Sequence, residues 1–152
     1  MAWTQRLTEL GIELPPVATP VAAYVPAIKV GQQVWTSGQL PLIDGTLTST
    51  GKVGAEVTEA DATRAARQCA LNALAAVHDL VGLDNVARVV KVVGYVASDP
   101  EFVNQPAVIN GASELIGEVF GEAGAHARSA VGVQSLPLGA PVEVELVVEL
   151  VG

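Results

Sequence analysis

Cysteine is nearly missing from this chain. Among 152 residues there is one, Cys69, so no disulfide can close within it. Histidine is almost as scarce, with only His78 and His126. Two distant histidines and one cysteine are too few ligands for a metal centre, so no metal is expected. Lys and Arg total 8 against 16 Asp and Glu, a formal net charge of −8. Sequence-independent nucleic-acid binding needs cations to neutralise phosphates, so neither RNA nor DNA is an expected partner. No apolar run approaches the roughly 20 residues that span a bilayer. The N-terminus carries Arg6, Glu9 and Glu13 where a signal peptide would have its apolar core. A cytoplasmic protein without membrane association is expected. Charged residues make up 16% of the chain and hydrophobic ones 50%, whereas globular chains carry about 25% charge. That deficit predicts that part of the surface is covered by other subunits. An acidic protein that binds an anion must gather positive charge locally, which makes each arginine worth locating.

The pattern that remains is that of one domain behind an N-terminal arm, divided at about residues 1–20 and 21–152. Thr4 to Leu14 reads as a short helix with Leu7, Leu10 and Leu14 on one face, ended by Pro15-Pro16. Tyr24 to Val30 and Gln33 to Ser37 read as paired strands about a Gly31-Gln32 turn. Asp44-Gly45 marks a further turn. Thr58 can cap a helix running to about Val81, with Asp61 in support and Gly82 as the stop. Its apolar stripe is Ala62, Ala65, Ala66, Cys69, Ala73, Ala76, Val77 and Leu80, small enough for close packing on a sheet. Val86 to Ala97 is a β-branched strand. A second helix starts near Asp99-Pro100 or at Asn104-Gln105-Pro106 and ends at Phe120, with Gly111 and Gly117 marking a kink or a close contact. Strands follow at Ala127 to Val133 and Val142 to Val151. The order β-β-α-β-α-β-β predicts an α+β fold: a single antiparallel or mixed sheet with two helices on one face.

The last strand alternates strictly. Val142, Val144, Leu146, Val148 and Leu150 share one face, and Glu143, Glu145 and Glu149 project from the other. In the strand before it, Arg128, Ala130 and Gly132 share a face, and the two small residues leave room beside Arg128. A guanidinium beside free space and near a carboxylate suits an organic acid. An ion pair between Arg128 and a glutamate of the last strand fits the pattern equally well. Cys69, on an apolar helix face, reads as an inert core residue. His78 reads as a surface residue near a helix end, where a cation is favoured. His126 stands two residues before Arg128, where it could line a pocket mouth. Gly51-Lys52-Val53-Gly54 lacks the spacing of a phosphate loop. Ser37 has no local base to make it a nucleophile, but the backbone of Ser37-Gly38-Gln39 could donate to a ligand.

Several blocks together resemble the reactive-intermediate deaminase (Rid/YjgF) family, over about residues 21–150. They are Tyr24 in the first strand, Thr36-Ser37-Gly38-Gln39-Leu40-Pro41, and Val89-Val90-Lys91-Val92 with Asp99-Pro100-Glu101-Phe102. Asn110 follows, and then Arg128-Ser129-Ala130-Val131, Leu136-Pro137 and Val142-Glu143-Val144. The resemblance implies a chorismate-mutase-like fold, assembled as a homotrimer around a central β-barrel with three clefts between subunits. It implies that Arg128 binds the substrate carboxylate, that Glu143 orients or activates water, and that Tyr24, Ser37, Gly38, Asn110 and Ala130 line the site. The implied reaction is hydrolysis of a 2-imino acid to a 2-keto acid and ammonia, with no cofactor. A small-carboxylate binder without turnover and a hydrolase of another C–N bond are the alternatives. A ribonuclease, attributed to some relatives, is disfavoured by the charge. Two positions depart from the family pattern. Ala130 replaces a common cysteine, and His126 replaces a common proline two residues before the arginine.

Overall fold

The structure, a computed structural model, describes residues 2–17, 20 and 23–152. The division placed between residues 20 and 21 falls at the edge of the described residues. The elements in chain order are α1 (Trp3–Glu9), β1 (Ala27–Val30), β2 (Gln33–Thr36), β3 (Leu42–Ile43), β4 (Thr46–Leu47), α2 (Glu59–Val81), β5 (Val86–Ala97), α3 (Gln105–Phe120), β6 (Ala127–Val133) and β7 (Val142–Leu150). Five strands form one sheet in the order β1-β2-β7-β5-β6. All its pairs are antiparallel except β5 with β6, which run parallel through α3 as the crossover. The remaining two strands, β3 and β4, form a small hairpin at Asp44-Gly45. Both turn residues take positive φ, 52° and 79°, as a tight primed turn demands.

The expected caps of α2 are present. Thr58 Oγ1 accepts from the Asp61 N–H at 3.1 Å, and Gly82 closes the helix with φ of 79°. The stripe from Ala62 to Val77 is buried, but Leu80, the last member expected in it, is 45% exposed. Of the two starts expected for α3, the later one holds. Asp99-Pro100 instead forms a turn in which the Glu101 N–H bonds Asp99 Oδ2 at 3.0 Å. His78 is exposed at the end of the helix, and its Nδ1 accepts the Leu83 N–H at 3.1 Å.

The core lies between the sheet and the α2–α3 layer. Val142, Val144, Leu146, Val148 and Leu150 face it from β7, and Val89, Val92 and Val96 from β5. Cys69 is buried in it, and burial first, then the charge of Glu143, pushes its thiol well up. The helices touch where Gly111 meets Thr63, and a Cβ at Gly111 would collide with the Thr63 carbonyl. Gly117, one and a half turns on, has open space around it. Helix α1 closes the far end of this layer. Trp3 stacks edge-on against Phe120 with ring centroids 5.0 Å apart, and its indole N–H bonds the Val86 carbonyl at 2.8 Å. Leu7 is buried beside it.

The two glycines of α3 therefore have opposite expected responses. Gly111→Ala overpacks the helix contact and should cost about 1–3 kcal/mol, whereas Gly117→Ala should gain about 0.5–1 kcal/mol from helix propensity. Urea unfolding of the two variants under one condition compares them directly.

Candidate functional site

The cation comes from β6 and its holder from α3. Because β6 is parallel to β5 and Arg128 is in register with Val92, Arg128 shares the face of that buried valine. It therefore stands on the helix side of the sheet, on the edge strand. Its Nη1 donates to Asn110 Oδ1 at 2.7 Å and to Ser113 Oγ at 3.3 Å. Asn110 and Ser113 are three residues apart, so both fall on one face of α3. Ser113 Oγ also lies 2.9 Å from His126 Nε2, and His126 Nδ1 lies 2.6 Å from the Gly124 carbonyl. The ion pairs among the described residues join Arg6 to Glu9, Arg64 to Asp61 and Arg67 to Glu118. Arg128 is in none of them. The ion pair between Arg128 and the last strand that the pattern allowed does not form.

The space expected above Ala130 and Gly132 is partly filled. Ala130 packs on the core, and a Cβ at Gly132 would sit 2.7 Å from Ser98 Oγ and 2.8 Å from Gln105 Nε2. Beyond that end of β6 lies a shallow groove of about 530 Å³, lined by Lys52, Ser98, Asp99, Phe102, Gln105 and Gly132 among others.

The carboxylate stands on the other face. Glu143 is in register with Tyr95, and the register of β7 against β5 directs both away from the helices. Its side chain lies directly over Gly38, where a Cβ would collide with the carboxylate. The Thr36-to-Gln39 segment is tied to β7 by two backbone bonds between Gln39 and Val144, at 2.8 and 3.0 Å. Ser37 spends its groups locally. Its N–H donates to the Pro26 carbonyl at 2.8 Å and its hydroxyl to the Val25 carbonyl at 2.5 Å. These bonds draw the Tyr24-to-Pro26 stretch to this corner, with the Tyr24 ring itself exposed. Of the three amides expected to serve a ligand, those of Ser37 and Gln39 are engaged, and Gly38 N–H has no acceptor among the described residues. Burial, and then the neighbouring charge of Glu145, holds the Glu143 carboxyl above its ordinary value of 4.5. Tyr95 donates to Glu145 Oε1 at 2.7 Å, and that bond leads the causes that push its hydroxyl up to about 12.

Within one chain, then, the sheet separates the two groups that the motifs assign to one site. Arg128, Asn110 and Ala130 belong to the helix side at β6. Glu143, Gly38, Ser37 and Tyr24 belong to the open face and its rim. Tyr95 and Ser113 are not singled out by the sequence, and Glu145 only as one of the glutamates on the polar face of the last strand. Ser113 was signalled by its spacing from Asn110, and Tyr95 only by a register that the sequence does not reveal. The open face also carries Ile28, Trp35 and Val131, each exposed, and a cavity of about 370 Å³ between Trp35, Lys91, Val93, Glu145 and Val147. Neither cavity includes Arg128 or Glu143 in its lining.

With this geometry in hand, comparison with known proteins is decisive. The model of the YjgF/chorismate mutase-like, putative endoribonuclease family matches residues 4–150. The chain belongs to this family. The match takes in α1, which the motif blocks did not reach. Protein TCP17 of Trypanosoma cruzi is 49% identical over 147 residues, 95% of this chain and 92% of that one. The crystal structure of Atu1372 from Agrobacterium tumefaciens, a protein of unknown function, is 48% identical with a TM-score of 0.90, covering 98% of this chain and 92% of the other. Escherichia coli TdcF, solved with bound serine, shares the fold at 24% identity and a TM-score of 0.65, over 91% of this chain and 94% of its own.

The raised carboxyl of Glu143 gives a pH-dependent prediction. A carboxyl raised by folding binds its proton more tightly in the native state, so stability falls as pH climbs from the ordinary value of 4.5 through the raised one. Glu143→Gln should therefore unfold at higher urea than the parent protein at neutral pH, and the advantage should vanish once the pH is below 4.5. Paired urea titrations across that range read it.

Proposed function

We propose that this protein is an imine and enamine deaminase that hydrolyses 2-imino acids to 2-keto acids and ammonia, working as a homotrimer. The observation that carries this reading is the state of Arg128. Its guanidinium is held by neutral oxygens of Asn110 and Ser113, without a carboxylate, in a protein of net charge −8. A fixed and uncompensated guanidinium presents a ready bidentate seat for a small carboxylate. The serine bound by TdcF, itself an amino acid, is in keeping with such a ligand.

The trimer answers the separation of the two half-sites. Exposed Ile28, Trp35 and Val131 form an apolar open face of the kind that other copies would cover. In a ring of three, the helix-side rim of one sheet would meet the open-face rim of the next. Arg128 with Asn110 would then share a cleft with Glu143, Gly38 and Tyr24 of a neighbour. Arg128 would hold the carboxylate and so place the imine carbon. Water would add to that carbon while Glu143 takes one of its protons. Glu143 would return that proton to nitrogen, and the hydroxyl proton of the resulting carbinolamine would follow through the same carboxylate as the C–N bond breaks, releasing ammonia and leaving the C=O of a 2-keto acid. A carboxyl already raised by its surroundings is suited to carrying a proton in both directions. An imine hydrolyses without help, so orientation of substrate and water supplies the acceleration. The scheme uses no metal and no cofactor.

The face separation also favours a second reading, a carboxylate-binding trimer without turnover, because Arg128 and its holder are complete in one chain and Glu143 is not beside them. One assay divides the two. An amino-acid dehydratase generates the imine in situ, and ammonia release is followed with and without the protein. Arg128→Ala should lose both acceleration and 2-keto acid binding. Glu143→Gln should lose at least about 100-fold in turnover while still binding the 2-keto acid. Full ammonia release by Glu143→Gln would remove Glu143 from the mechanism, and no acceleration by the parent protein would leave the binder. RNA affinity, measured in the same preparations, is expected to be absent.

A further inference from the structure

A neutral polar chain runs behind Arg128. The Gly124 carbonyl can only accept, so the 2.6 Å contact requires a hydrogen on His126 Nδ1. In the neutral ring Nε2 is then bare and accepts, and the Ser113 hydroxyl at 2.9 Å must be its donor. With its hydrogen committed to the histidine, Ser113 Oγ turns its lone pairs to the guanidinium and accepts from Nη1 at 3.3 Å. Asn110 Oδ1 takes the other Nη1 hydrogen at 2.7 Å. A serine inside a helix commonly bonds the carbonyl one turn back, but the bonds of Ser113 go to His126 and Arg128 instead.

The count of hydrogens then selects an edge. Arginine has five N–H donors, and the two on Nη1 are consumed. The Nε–H and the two hydrogens on Nη2 remain. Of these, Nε–H and one Nη2–H are parallel and form a fork matched to two carboxylate oxygens.

We propose that His126 and Ser113 are positioning residues which lock Arg128 by its Nη1 end, so that a 2-keto or 2-imino acid carboxylate is taken side-on by the Nε/Nη2 edge. This deepens the reading of Arg128 as a carboxylate seat and rests on it. His126 occupies the position where the family commonly carries proline, so the lock is a feature of this chain's own sequence. The histidine touches no ligand. It sets the direction of the serine hydroxyl, and the serine sets the rotation of the guanidinium. Without Ser113, Nη1 keeps a single partner and the fork is free to swing about the Asn110 bond, so part of the binding energy goes to re-ordering it.

Two measurements test this on the full-length protein. ¹⁵N NMR of the imidazole should show His126 protonated at Nδ1 and bare at Nε2, and the Arg128 Nε–H signal should be ordered without ligand. In Ser113→Ala and His126→Phe that Nε–H signal should lose its order, while thermal unfolding confirms that both variants fold. Calorimetric titration with 2-oxobutanoate should weaken by roughly tenfold in each, and Ser113→Thr, which keeps the hydroxyl, should stay within about twofold of the parent. An Nε2-protonated His126, or a Ser113→Ala protein with an ordered Arg128 Nε–H and unchanged affinity, overturns the proposal. If the parent protein itself fails to bind 2-oxobutanoate, the carboxylate reading is what fails. The order of Arg128 Nε–H in the variants then decides the lock by itself.

Discussion

The register of β7 is the constraint on which the rest of the molecule depends. This strand is bonded on both sides, to β2 and to β5, and its residues alternate between valine or leucine and glutamate for most of its length. A slip of one residue would turn the five apolar side chains out and drive Glu143, Glu145 and Glu149 under the helices. Burying unpaired carboxylates there would cost several kcal/mol each, so this register excludes its neighbours strongly. Once β7 is set, the tie between Gln39 and Val144 brings Gly38 beneath Glu143, and the pairing with β5 brings Tyr95 alongside.

Close packing of the helices is the second determinant, and it follows from small side chains. The alanine stripe of α2 lies on the sheet, and α3 approaches α2 until Gly111 touches the Thr63 backbone. A bulkier residue there would lift α3 away. The position of α3 matters to the site because Asn110 and Ser113 reach Arg128 from it. The glycine adjoins the asparagine in sequence, so the packing contact and the guanidinium holder share one turn of helix.

Electrostatics give the two faces of the sheet opposite characters. On the open face, acids crowd one another: burial and then the charge of Glu145 raise Glu143, and Tyr95 gives its hydroxyl hydrogen to Glu145. On the helix side, Arg128 is surrounded by neutral acceptors. A negative ligand is drawn to the second place and repelled from the first unless a carboxyl there holds a proton. The sheet keeps the two from neutralising each other within one chain.

Much of the fold was legible in the residues themselves. The period of two in β7, the Thr58 cap with Asp61, the Gly82 stop and the β-branched run of β5 are local signals, and local physics enforces them. The motif blocks likewise name Arg128, Asn110, Gly38 and Glu143 as site candidates, because a chain carries its family pattern in order. Other features were not local. That β6 runs parallel to β5, and so turns Arg128 to the helix side, depends on how α3 crosses the sheet. That Gln105 and Ser98 fill the space over Gly132, that Leu80 is left exposed, and that His126 reaches Ser113 depend on where whole elements come to rest. Sequence alone determined which residues alternate, cap and turn, since those are decided between near neighbours. Tertiary structure decided which face each charge occupies and what holds it, since those are decided by side chains far apart along the chain that meet only after packing.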